Sequence, residues 1–165
     1  MKMKQLTAGM IALVMSMSLP MTTYAADWDL ENGSITVDAG DSGQTVTQQG
    51  STPKQDDAPV ITQSSAETSN TITINASENA TANVTIKDIN IKSSNDAIDV
   101  TGSSSANITL EGDNKIFSET GSALHISDGN VTINGSGSLK AEIQDDLGID
   151  YNYSAKIGSH ENEDM

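Results

Sequence analysis

The chain has 165 residues, with 23 acidic residues against eight lysines, no arginine and no cysteine, and a formal net charge of −15. A surface of that sign repels phosphate backbones, which argues against nucleic acid as a partner and leaves a polyanion needing an intervening cation. With no disulfide available, an exported form must be held by stacking and packing alone.

Residues 1–25 have the pattern of a secretory signal. Lys2 and Lys4 are followed by an uncharged apolar run from Leu6 to Leu19, then Pro20 and the residues Thr23-Tyr24-Ala25, which predicts cleavage after Ala25. The run is too short for a membrane span, and nothing later in the chain is long enough to be one. No cysteine follows it, so a lipid anchor is not expected. The predicted location is extracellular, secreted or on a bacterial cell surface.

Residues 26–165 are predicted to form one all-β domain, a right-handed parallel β-helix of about five coils. Val37, Val60, Val84, Ile108 and Val131 recur at intervals of 23 or 24 residues, and Val46, Ile72, Ile98 and Leu124 at intervals of 26. A third series runs Ile91, Ile116, Leu139. Within each segment apolar residues alternate with polar ones, as in Asn83-Val84-Thr85-Ile86, Asn107-Ile108-Thr109-Leu110 and Asn130-Val131-Thr132-Ile133. These three segments predict an outward threonine ladder through Thr85, Thr109 and Thr132, and an amide ladder through Asn83, Asn107 and Asn130. Gly, Asn and Asp separate the segments, as tight corners require. An antiparallel sandwich also has short recurrent strands, but it has no reason to hold a constant register over five passes. No helix is expected after residue 25, and Trp28 is expected to cap the first coil.

Polar stretches interrupt the repeat at residues 49–58, expected to protrude as a loop carrying Pro53, and at residues 64–70. Near the end, Ser154-Ala155-Lys156-Ile157-Gly158-Ser159 looks like the opening of another coil. A solenoid needs its last coil covered, so the pattern predicts a truncated chain with an incomplete C-terminal end.

Asn32–Val37, Ala58–Ser64, Asn70–Asn75, Ala82–Ile91 and the closing Ala155–Met165 resemble secreted clostridial proteins described as carbohydrate-binding-domain-containing β-helix proteins, of pectate-lyase-like architecture. The resemblance covers nearly all of residues 26–165. It implies an extracellular location and binding of a polysaccharide.

The densest acidic cluster is Asp145, Asp146 and Asp150, in a stretch lengthened relative to the repeat. Carboxylates and carbonyls on such a loop suit calcium, which takes six to eight oxygen ligands. Tyr151 and Tyr153 lie beside it, two residues apart, so that an extended backbone turns both rings the same way, as a sugar-stacking surface requires. These five residues are the predicted site: Tyr151 and Tyr153 for ligand, Asp145, Asp146 and Asp150 for metal. Catalysis is not expected. No arginine is available as a lyase base, and His125, between Leu124 and Ile126, is expected to be exposed and alone. The predicted function is non-catalytic, calcium-assisted carbohydrate binding, with a structural stalk or adhesin segment of a larger cell-surface protein as the alternative.

Overall fold

A computed structural model describes residues 25–144 together with the backbone of residues 150–155. The chain begins with β1 (Asp27–Asp29), a single 3-10 turn (Leu30–Asn32) and β2 (Ile35–Gly40). An excursion through β3 (Gly43–Gln48) and β4 (Lys54–Gln55) precedes β5 (Val60–Thr62) and β6 (Ile72–Ala76). Two three-stranded coils follow: β7 (Thr81–Lys87), β8 (Asn90–Ser93) and β9 (Ile98–Thr101), then β10 (Ser105–Glu111), β11 (Asp113–Ser118) and β12 (Leu124–Ile126). Last come β13 (Asn130–Gly135), β14 (Ser138–Gln144) and β15 (Asp150–Ala155).

These strands stack into three sheets. In the first, β1, β5, β7, β10 and β13 lie side by side, all parallel. In the second, β8, β11 and β14 are parallel and β15 adds to β14 in the antiparallel sense. In the third, β2, β6, β9 and β12 are parallel, while β3 runs antiparallel on β2 and β4 on β3. The fold is therefore the expected parallel β-solenoid, crossing its first sheet five times. Its complete three-stranded coils are fewer than the five passes, because β4 and β5 are short and the second-sheet position of β5's coil is reduced to one bridge, Thr68 to Ile91.

Alternation turns every second residue inward, and stacking brings equivalent residues together. The rows Ile61–Ile86–Leu110, Ile91–Ile116–Ala141 and Ile72–Ile98–Leu124 run through one continuous core that extends from Trp28 to Leu139. Each fully buried isoleucine or leucine contributes roughly 1.5–3 kcal/mol. Trp28 is buried against Ile61 in the first row, as a residue covering the first coil should be.

Several predicted alignments differ from those observed, by a change of sheet at Val37 and by slips of one or two residues elsewhere. Val37 belongs to the third sheet, opposite Ile74, and its partner Val46 sits on the antiparallel β3. Val60 faces outward opposite Thr85, because the adjacent Ile61 takes the inward position beside Ile86. Val131 stacks on Ala106, and Leu139 on Asn114. The amide ladder therefore holds from Asn107 Nδ2 to Asn83 Oδ1 at 3.0 Å but omits Asn130, which lies beside Ser105. Likewise Thr85 neighbours Thr109, whose hydroxyl next meets Asn134 Oδ1 at 3.2 Å, while Thr132 lies beside Asn107. The cause is a coil offset of 25 residues between β10 and β13, where the apolar match suggested 23. A shift of two leaves every side chain on its own face, so hydrophobicity does not discriminate between the registers.

Residues 49–58 also depart from the expected protruding loop. They contain β4, paired to β3, and the fully buried Asp56. Where a short strand leaves a neighbour's backbone unpaired, a side-chain amide replaces it. Gln44, buried, accepts from Asn83 N at 2.8 Å and donates to Asn83 O at 2.9 Å. Gln63 does the same for Asn90, at 2.7 and 3.1 Å. At the corner between the first two sheets, buried Asn114 accepts from Ile89 N of the preceding coil at 3.2 Å and donates to Ser138 O of the next at 3.0 Å. A primary amide carries the same donor and acceptor as a peptide group, so it can stand in for a missing residue of strand.

Gly102 ends β9 at φ +101°, and a Cβ there would collide with the backbone of Ala76 one coil below. Gly50, at φ +71°, has open space around its Cβ position. Gly102→Ala should therefore cost about 2–4 kcal/mol, from strain and collision together, whereas Gly50→Ala should cost about 1–2 kcal/mol from strain alone. Urea unfolding of the two variants checks the difference.

Candidate functional site

The outer face of the second sheet carries two rows of polar and aromatic side chains. Asn90, Lys115 and Lys140 form one row, and Lys92, Phe117 and Glu142 the other. Their exposure follows from alternation: Ile91, Ile116 and Ala141 occupy the inward positions between them. The rows floor an open groove of about 530 Å³, bounded further by Glu67 and Gln144. Three of the chain's eight lysines and its one phenylalanine gather here, in a molecule with 23 acidic residues.

The lysines are unequally compensated. Lys140 Nζ lies 2.7 Å from Glu142 Oε1, and Lys92 Nζ is 4.0 Å from Glu119 and 5.6 Å from the centre of the Phe117 ring. Among the described residues, Lys115 has no carboxylate within 4.0 Å, although it neighbours Lys140 across the strand pair. Strands are about 4.8 Å apart, and like charges directly opposite each other destabilise a sheet. An anion placed over Lys115 would relieve that repulsion. The half-buried Phe117 ring beside it offers the apolar face on which a sugar ring stacks, and Asn90 offers an amide for hydroxyl groups.

A second cluster lies on the third sheet. β12 places His125 directly beside Asp99 of β9, with Asp96 on the turn that leads into β9. His125 Nδ1 is 2.8 Å from Asp99 Oδ1 and 3.7 Å from Asp96 Oδ2, and Asp96 Oδ1 accepts from Ser122 N at 2.6 Å. His125 is half-buried where exposure was expected, and it is not alone: parallel stacking brings it a carboxylate from 26 residues earlier. The three donor atoms lie within 4.8 Å of one another. One imidazole and two carboxylates suit a borderline cation such as Zn²⁺ better than Ca²⁺, which prefers an all-oxygen shell.

The hydrogen bond to Asp99 holds the His125 pKa above its ordinary value, with the Asp96 charge adding to the effect and desolvation opposing it. A raised folded-state pKa means that the clasp contributes stability below the ordinary imidazole pKa and loses it as pH rises through the folded value. NMR titration of the His125 ring in metal-free protein should show the raised midpoint. Asp99→Asn should return it toward the ordinary value.

Of the residues nominated from sequence, Asp145 and Asp146 lie outside the described residues. Asp150, Tyr151 and Tyr153 belong to β15, so Asp150 lies on a strand and not on the expected loop, and the backbone through the two tyrosines is extended. It pairs antiparallel with β14, Tyr151 opposite Ile143 and Tyr153 opposite Ala141. Ser154 and Ala155, expected to open another coil, instead pair with Lys140 and Leu139 on this strand. The nominated segment is therefore a strand of the sheet that carries the lysine groove. Lys92, Lys115, Phe117 and Lys140 were missed as a group. The 25-residue offset joins Lys115 to Lys140, whereas aligning Leu139 with Ile116 sets Lys140 beside Phe117.

No protein-family model, curated protein or solved structure matches this chain. The fold and the groove define a parallel β-solenoid with a mixed-charge, aromatic-centred outer face.

Proposed function

We propose that this is an extracellular, non-catalytic carbohydrate-binding β-helix whose ligand is an acidic polysaccharide lying across the outer face of the second sheet. The observation that carries the proposal is Lys115, which among the described residues has no carboxylate within 4.0 Å, beside Lys140 and near the half-buried Phe117 ring of its own strand, in a chain with acids to spare. Stacking on Phe117 supplies apolar contact, while Lys92, Lys115 and Lys140 neutralise uronate or sulfate groups directly. Calcium has a place in the same picture at Asp145, Asp146 and Asp150, where it would bridge acidic protein to acidic glycan. Glu142 is held by Lys140, and the chain offers no arginine as a lyase base, which favours binding over cleavage.

A glycan array followed by calorimetry tests this reading. Phe117→Ala and Lys115→Ala should each weaken binding of an acidic glycan about tenfold, with the circular dichroism unchanged. Binding that instead disappears with a chelator and survives both substitutions would move the site to the aspartates and tyrosines of residues 145–153. The second reading, a structural stalk, draws on the continuous core and the coil-to-coil ladders such as Asn83–Asn107. It predicts no binding under either condition.

A further inference from the structure

Asp56 is fully buried, 0% exposed, directly after the short strand β4. Its Oδ2 accepts from Trp28 Nε1 at 2.7 Å and from the backbone nitrogen of Ala26 at 3.1 Å, and its Oδ1 accepts from Ala58 N at 3.2 Å. All three donors are neutral where Ala26 is joined to Ala25. Among the described residues no lysine or histidine lies within 4.0 Å of this carboxylate; Lys54, the nearest lysine in sequence, is instead over the Trp28 ring, 5.7 Å from its centre. A buried carboxylate held only by neutral donors is costly, and a cation at hydrogen-bond distance changes that balance.

Ala26 is also the residue expected to begin the exported protein. We infer that Asp56 is the internal receptor for the N-terminal ammonium group created when the leader is removed, so that processing completes the first coil with a partly buried ion pair. Hydrolysis of the Ala25–Ala26 bond consumes one water. The Ala25 carbonyl carbon leaves with the leader as a carboxylate, and the Ala26 nitrogen becomes an amine that takes up a proton at neutral pH. No movement is needed, since that nitrogen already lies 3.1 Å from Oδ2 and the Ala26 carbonyl is anchored by Val60 N at 3.0 Å. A hydrogen bond from a neutral amide to the carboxylate becomes one between opposite charges, adding Coulomb attraction to the same geometry. The ion pair joins β1 to the β4 excursion, tying Trp28 and the start of the core to the segment that follows β3. A chain still carrying its leader lacks the charge and holds this coil less firmly.

The inference rests on removal of residues 1–25, and the two are tested separately. N-terminal sequencing of exported protein reads the processing: a first residue of Ala26 is expected, and any other start overturns the proposal through that step. Geometry is read by comparing the chain beginning at Ala26 with one that retains Tyr24 and Ala25, neither of which alters Asp56. The Ala26 form should melt about 3–6 °C higher. Asp56→Asn should lower its Tm more than it lowers that of the extended form, the non-additivity expected of a direct pair. Equal melting temperatures for the two unsubstituted forms would overturn the ion pair even with processing at Ala26.

Discussion

Backbone hydrogen bonding between the parallel strands of this molecule runs from coil to coil, along the axis of the solenoid, so those strands are satisfied by their equivalents in the coils beside them, with β3, β4 and β15 added in the antiparallel sense. That constraint forces neighbouring coils into register and makes inward residues stack on their equivalents. The isoleucine rows follow from it, since β-branched side chains pack well on a pleated surface and each layer presents the same shape to the next. The outward ladders follow as well: Asn83 meets Asn107, and Asp99 meets His125, because the chain passes each point again after a nearly constant number of residues. Neither contact depends on residues that are close in sequence.

Constant coil length is not kept everywhere, and the places where it fails are repaired by amides. Gln44 and Gln63 each present a donor and an acceptor to one residue of backbone whose strand neighbour is missing, while Asn114 bridges the corners of the coils on either side of it. Asp88 does a related service at its corner, adopting φ 52° and accepting from Asp113 N of the next coil at 3.1 Å. No buried side-chain nitrogen or oxygen among the described residues lacks a partner. Irregular coils are thereby accommodated without orphaned polar groups, whose burial would cost about 1–3 kcal/mol each.

Charge is distributed against this frame in an uneven way. Acids dominate the chain, yet three lysines are brought to one sheet face by the 25-residue offset between β11 and β14 and by the adjoining β8. Among the described residues, the imbalance at Lys115 and the imbalance at Asp56 are of opposite sign and location, one on an open groove and one on a buried side chain. A ligand from solvent can answer the first. A group of the chain itself, the Ala26 nitrogen, already lies beside the second.

Much of this was legible in the sequence. Alternating apolar residues, glycine and aspartate corners, and a recurrence near 25 residues report local geometry, and they specify a parallel β-solenoid because only stacked coils give every recurrent apolar residue a buried place. The strand over residues 150–155 was not: the sequence suits a loop at Asp150 and the opening of a coil at Ser154-Ala155, because no apolar recurrence marks an antiparallel return. Which residue lies beside which was not legible either. Val60 and Ile61 are both apolar, and Val131 faces inward whether it stacks on Ile108 or Ala106, so a pattern with a period of two cannot choose between registers. Tertiary structure made that choice through backbone pairing and corner length. With it came the lysine groove, the carboxylates beside His125 and the burial of Asp56, because each joins residues separated by about one coil or more, and such contacts exist only once the register is set.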